Sequence, residues 1–166
     1  MYKLVVKGRS AILVFLTHNV ALPLLQLMRN EKKFRYTLWQ LSVMPEGSLG
    51  FSLGEFLKQR NLQLLPYYAR HDIKHILLGY DTTDEGEVCL QCFMLGNGHL
   101  SVPVIATASY GFFTMPEYWG SFKLAYLRGK QSIPIEKWEW FELLYEPLEK
   151  LQQKIKNPAS IKFYKK

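Results

Sequence analysis

YYARHDIKHILLGYDTTDEGEVCLQCF, residues 67–93, reads as two helices joined by a tight turn. Residues 67–78 form the first, and Gly79 stands where a helix closes on a residue free to adopt left-handed backbone angles. The turn is YDTTDEG. Thr82 followed by Glu85 has the pattern of a capping box, so the second helix is expected to run through about residue 95, where GNG ends it. Two helices joined this way return antiparallel, which sets residues of the second beside those of the first.

Working outward, PEGSLGFSLGEFLKQRNL offers Ser48 as an N-cap. Leu49, Phe51, Leu53, Phe56 and Leu57 follow too densely for one face, as in a largely buried helix. Residues 102–113, VPVIATASYGFF, stay open between a β-branched strand and a short buried helix. Pro116 suits the first turn of a helix running to Arg128, with Gly129 as its stop. A last helix is expected from near Pro134 to about Lys156, with Trp138, Phe141, Leu144, Tyr145, Leu148 and Leu151 at helical spacing and a kink at Pro147.

The most apolar run, AILVFLTHNVALPLLQLM at residues 11–28, is broken by Thr17, His18, Asn19, Pro23 and Gln26. That makes it a poor bilayer span, which needs ~20 mostly apolar residues. Residues 1–30 read instead as an apolar N-terminal helix kinked near Pro23, either buried or resting on a partner or a membrane surface. Lys3, Lys7 and Arg9 ahead of it resemble the start of a signal peptide, but no small-residue cleavage site follows cleanly. No repeat, low-complexity linker or domain boundary interrupts the chain, so residues 1–166 are expected to form one compact, mostly helical domain.

Apolar residues at 48% and charged residues at 21% exclude a disordered chain. Two cysteines exclude a disulfide framework and fit a reducing compartment. Cys89 and Cys92 form a lone C-x-x-C with no second pair for a zinc ribbon, so they read as small buried hydrophobes. The net charge of +7 attracts anions. Its two clusters are Arg29, Lys32, Lys33 and Arg35, and the six lysines Lys150, Lys154, Lys156, Lys162, Lys165 and Lys166 near the C-terminus. Neither makes a nucleic-acid motif, and no nucleic-acid partner is expected. An anionic membrane surface responds to the same potential.

His71 and His75, four apart on a helix, can turn both imidazoles toward one ion. Asp72 lies at the edge of that face, as a ligand or as the acceptor that orients an imidazole. Glu87 falls early in the next helix, and Gly86 beside it removes a side chain where two helices or a ligand approach. Two imidazoles with one or two carboxylates suit zinc, iron, manganese or cobalt. The bland alternative is a polar helix surface. The peptidase pattern His-Glu-x-x-His is not met, because Asp72 occupies the glutamate's place. His18 and His99 have no companion at ligand spacing, and Ser48, Ser52 and Ser109 lack a hydrolase elbow.

H-D-x-x-H, eleven residues, then E resembles the signature of the ubiquinone (coenzyme Q) biosynthesis family numbered four, the Coq-four family; His71, Asp72, His75 and Glu87 match it one for one. Gly79, Thr82 and Gly86 also fit that family's HxxxGxxTDxxGE, whereas Thr83 stands where it usually has Asp. MPEGSLGFSLGEFL (44–57) is similar to its LPxGTLGxxYxxFL segment, and KWEWFELLYEPLEKLQQKI (137–155) to its C-terminal helix. The resemblance covers about residues 38–155.

It implies an all-α single-domain bundle of about six to eight helices with a hydrophobic channel. It implies a divalent metal on His71, Asp72, His75 and Glu87, and a prenylated quinone precursor or isoprenoid lipid beside it. Arg70, Tyr67, Phe51 and Phe93 are the residues expected to meet that lipid. The implied function is in quinone biosynthesis, on a prenylated hydroxybenzoate-type intermediate, by oxidative removal of the C1 carboxyl. The alternative is a non-catalytic lipid-binding or scaffold protein that organises other quinone-biosynthesis proteins. A homodimer is implied, as is a cytoplasmic position peripheral on the inner membrane face, or on the matrix side if mitochondrial.

Overall fold

A computed structural model describes residues 33–156, and the apolar run at residues 11–28 with the preceding cations lies outside them. Seven α-helices make up the described chain: α1 (Leu38–Ser42), α2 (Leu49–Gln59), α3 (Ala69–Leu78), α4 (Asp84–Gly96), α5 (Val102–Thr114), α6 (Trp119–Gln131) and α7 (Leu148–Lys156). A single 3-10 turn, Pro116–Tyr118, precedes α6, and no strand occurs among the described residues. The all-α expectation holds. The open stretch at 102–113 resolves as helix α5, with Pro103 in its first turn.

The helix ends show why these elements start where they do. Thr37 and Gln40 form a reciprocal capping box on α1. Ser48 caps α2 as expected, its hydroxyl accepting the Phe51 N–H at 3.2 Å. The two preceding N–H groups of α2 are met from far along the chain. Leu49 donates to the Glu146 carbonyl at 2.9 Å, and Gly50 to the Leu144 carbonyl at 2.8 Å. With the Ser48 hydroxyl, three otherwise orphaned donors are satisfied.

That pairing also corrects the reading of the C-terminal segment. Residues 134–147 form turns, and only Leu148–Lys156 is helical. The carbonyls of Leu144 and Glu146 are turned toward the start of α2 and take no part in a helix of their own. Leu148 in turn donates to the Gly47 carbonyl at 2.9 Å, so Pro147 sits at the entrance of α7 and kinks nothing. Of the six residues at helical spacing, Leu144 and Leu151 are buried, Trp138, Phe141 and Leu148 are half-buried and Tyr145 is exposed, while the buried Trp140 lies outside the pattern. The spacing found part of the buried face and mistook the backbone that delivers it.

The core joins Leu41, Leu53, Ile73, Leu77, Phe93 and Leu151 from five helices. A second cluster holds Val88, Cys89, Cys92, Met115, Phe122 and Ala125 between α4 and the helices after it. Both cysteines are buried free thiols, and burial pushes them up to about 12 and about 11.

The tightest seam is α4 on α6. Gly129 does not stop α6, which continues to Gln131. It lies where a β-carbon would collide with the Phe93 carbonyl, and Gly96 meets the Tyr126 carbonyl in the same way. Asn97 fastens the end of this seam, donating to the carbonyls of Gly129 and Ile133 and accepting the Ile135 N–H at 2.9 Å.

Candidate metal centre

Three side chains from the opening stretch converge. His71 Nε2 lies 3.2 Å from Glu87 Oε2, and His75 Nε2 lies 3.1 Å from Glu87 Oε1. One ligand atom from each of His71, His75 and Glu87 falls within 4.8 Å of the others, close enough to share one ion. The local sequence explains the convergence. His71 and His75 stack a turn apart on α3, ring centroids 4.6 Å apart. Gly79 closes α3 at φ 71°, and Thr83 opens α4 by accepting the Gly86 N–H at 3.1 Å. The cap is therefore Thr83 and not Thr82. Thr83 is also the departure from the resembled motif, and it falls where threonine and aspartate can do the same capping work. Gly86 packs against the backbone of Asp81, where any β-carbon would collide. This close fit places Glu87 opposite the imidazoles.

Asp72 is buried, but its carboxylate lies 4.0 Å from Nδ1 of His71, on the side of the ring away from Glu87. The structure brings it beside the cluster and not into it. The Tyr68 ring, at the residue just before α3, covers His71 at a centroid distance of 4.4 Å. Burial raises the Tyr68 phenol, and the Glu87 and Asp72 carboxylates raise it further.

Whether these donors suit a metal can be judged from His75. Its Nδ1 lies 3.1 Å from the Tyr80 carbonyl oxygen, which can only accept, so Nδ1 carries the proton. In the neutral ring Nε2 is then a bare lone pair, buried and in no hydrogen bond, facing the Glu87 carboxylate. Lone pair against carboxylate at 3.1 Å is repulsive unless positive charge stands between them. Either protons on the imidazoles or one metal ion meets that need, and the donor set fits the metal.

Titration separates the two. Burial lowers the His71 pKa, but Glu87 and Asp72 outweigh it and lift it to about 9. Burial raises Glu87, and the two imidazoles more than reverse this, holding its carboxyl well below the usual carboxylate range. A raised histidine stabilises the metal-free fold below its unfolded pKa of 6.5 and loses that contribution as pH rises to about 9. A depressed carboxylate stabilises above its unfolded value of 4.5 and loses the contribution as pH falls. Chelator-treated protein is therefore expected to melt highest between pH 4.5 and 6.5. Metal must displace the His71 proton, so zinc affinity should rise about tenfold per pH unit from pH ~6 to ~8. A competition titration showing a flat profile would count against His71 as a ligand.

Of the residues expected to meet lipid, Phe51 lines a cleft beside the cluster. This cleft, about 590 Å³, runs between α2 and the end of α3, with Phe56, His75, Ile76 and Tyr80 also on its walls. Glu46, Glu55, Asp81 and Arg60 share the lining, so it is of mixed polarity. Phe93 is wholly buried in the core, Tyr67 is exposed, and Arg70 is half-buried on α3 just before His71. A second cleft of about 450 Å³ opens on the other side of the Gly79–Asp81 turn, against α6.

Fold and site together define an all-helical protein whose central helix pair presents a His-His-Glu cluster beside an open cleft. The chain is similar in fold to a crystal structure from Nostoc punctiforme PCC 73102 that carries the provisional designation of a ubiquinone biosynthesis protein. The TM-score is 0.61 at 19% identity, over 92% of this chain and 79% of that one. No protein-family profile and no curated protein matches the chain.

Proposed function

We propose that this protein binds a divalent metal on His71, His75 and Glu87 and acts in quinone biosynthesis on a prenylated hydroxybenzoate-type intermediate, removing the C1 carboxyl oxidatively. The observation that carries this reading is the convergence of three ligand atoms within 4.8 Å, next to a cleft of about 590 Å³ whose wall includes His75. The fold shared with a protein designated for ubiquinone biosynthesis agrees with it.

Each residue has a part. Glu87 bridges the two imidazoles, the Tyr80 carbonyl fixes which nitrogen of His75 faces the centre, and Asp72 supplies negative charge behind His71. Phe51 and Phe56 give the cleft apolar surface for the start of a prenyl tail. A divalent metal held here would polarise a ring phenolate and carboxylate, and a redox metal would couple this to dioxygen. Zinc, iron, manganese and cobalt all suit the donors. Purified protein loaded with each metal in turn, given the C1-carboxylated substrate and dioxygen, should release carbon dioxide with at least one of them.

A non-catalytic lipid-binding or scaffold role is the second reading, favoured by one feature of the surface. The outward face of α5 and α6 is apolar, with Val102, Phe112, Phe113 and Leu124 between 53% and 79% exposed. Between residues 101 and 131 the only acidic side chain is Glu117, against Lys123, Arg128 and Lys130. No helix among the described residues is long and apolar enough to cross a membrane. We assign this face to an anionic membrane surface, where the apolar side chains insert and the exposed Lys123 and Lys130 stay at headgroup level. Phe112→Ser with Phe113→Ser should weaken binding to anionic vesicles by more than about tenfold, since each buried ring contributes roughly 1.5–3 kcal/mol. Unchanged co-sedimentation would refute the assignment. Turnover of the carboxylated substrate decides between enzyme and carrier, and co-purified isoprenoid without turnover favours the carrier.

A further inference from the structure

We infer that Arg128, on α6, is a positioning residue for the histidine centre, acting through Tyr80. The inference rests on the metal-site reading for its consequence, but its geometry stands without a metal.

His75 can present Nε2 to Glu87 only while its Nδ1 is held by the Tyr80 carbonyl, at 3.1 Å. That carbonyl belongs to the short turn between α3 and α4. Both ends of the turn are pinned locally. Upstream, Gly79 takes φ 71° and donates to the His75 carbonyl at 2.8 Å. Downstream, Asp81 accepts the Thr83 N–H at 3.0 Å, and Gly86 packs on Asp81. Tyr80 lies between these anchors, and among the described residues its carbonyl is held by the His75 bond alone. The Tyr80 side chain supplies the missing constraint.

The guanidinium of Arg128 sits 5.2 Å from the centroid of the Tyr80 ring and 5.4 Å from that of Phe93. The Tyr80 and Phe93 rings themselves meet edge to face at 6.3 Å. One cation thus clamps a turn residue against a wholly buried core ring. Such contacts gain strength when desolvated, and the planar guanidinium suits two aromatic faces better than an ammonium does. Arg128 is itself placed by the glycine at 129, which lets α6 come down on the Phe93 carbonyl. A line of contacts therefore runs from the α4–α6 seam to the nitrogen that faces Glu87. An imidazole held this way is fixed in tautomer and ring angle, as the groups behind metal-binding histidines commonly do.

The test begins on the metal-free chain. Long-range nitrogen-15 spectra of wild type should show the His75 Nδ1 protonated and held in its hydrogen bond, whatever proton Nε2 carries without metal. Arg128→Met keeps the length and removes the cation; it should leave that Nδ1 proton unprotected, its bond to the Tyr80 carbonyl no longer fixed. Arg128→Lys, the milder change should the first unfold, should fall between. Cobalt titration follows as the second readout, with about a tenfold loss of affinity expected for Arg128→Met and no change for Gln131→Ala, exposed on the same helix. A His75 pattern in both Arg128 variants identical to wild type overturns the inference. Absence of cobalt binding in wild type with the change at His75 Nδ1 intact would sink the metal reading and leave the positioning role standing.

Discussion

Glu87→Ala is expected to abolish metal uptake while the helices remain formed. Glu87 alone touches both imidazoles, at 3.2 and 3.1 Å. Four-ligand zinc sites gain on the order of 10–16 kcal/mol, so one ligand contributes about 3 kcal/mol and its loss weakens binding on the order of a hundredfold or more. His71→Ala should match it, because its ring is mostly covered by Tyr68 and little of the core depends on it. Asp72→Asn separates the two roles the sequence leaves open for that residue. An orienting carboxylate costs about 10–100-fold when changed, and the 4.0 Å separation from Nδ1 places Asp72 in that class. Loss of binding as complete as in Glu87→Ala would make Asp72 a ligand instead. Isothermal titration with zinc measures affinity, and circular dichroism confirms the fold. Full metal affinity and full activity in both Glu87→Ala and His71→Ala would remove the metal centre from the account altogether.

The clustering of these residues was partly legible because its determinants are local. His71 and His75 are one helical turn apart, and Gly79 and Gly86 announce a tight return to Glu87, but spacing left a polar helix surface equally open, and the ligand set came from the resemblance. What spacing could not supply was the support behind them. The Tyr80 carbonyl is a backbone group with no sequence signature, and Arg128 lies 48 positions further along the chain. The same limit governed the fold. Helices α2, α3 and α4 carry their caps in their own sequence, through Ser48, Gly79 and Thr83. Residues 134–147 look helical by their apolar spacing, but their carbonyls are claimed by the first N–H groups of α2, nearly a hundred residues earlier. Gly129 was read as a helix stop because glycine usually stops a helix. Its use here is a close approach to Phe93, which depends on a partner helix that the local pattern does not contain.

That close approach makes the second large prediction, two identical substitutions in one helix with opposite signs. Gly120 and Gly129 both lie in α6. A β-carbon at Gly120 meets nothing within 4 Å, so Gly120→Ala should only gain the higher helix propensity of alanine, up to about 1 kcal/mol. At Gly129 the same methyl would run into the Phe93 carbonyl and crowd the Asn97 amide. Backbone cannot swing aside as a side chain can, so α6 must lift from α4. Lifting loosens Ala125 and Phe122 in the second cluster and strains the Asn97 bonds to Gly129 and Ile133. Overpacking of this kind costs about 1–3 kcal/mol, more than propensity returns. With about 2–4 °C per kcal/mol for a domain of this size, Gly129→Ala should melt a few degrees below wild type and Gly120→Ala at or above it. The displaced helix also carries Arg128 away from Tyr80, so Gly129→Ala should bind cobalt more weakly than its stability alone would suggest. Thermal melts of both variants, with and without cobalt, test the seam. Equal melting temperatures would mean that α4 and α6 do not meet as closely as these glycines require.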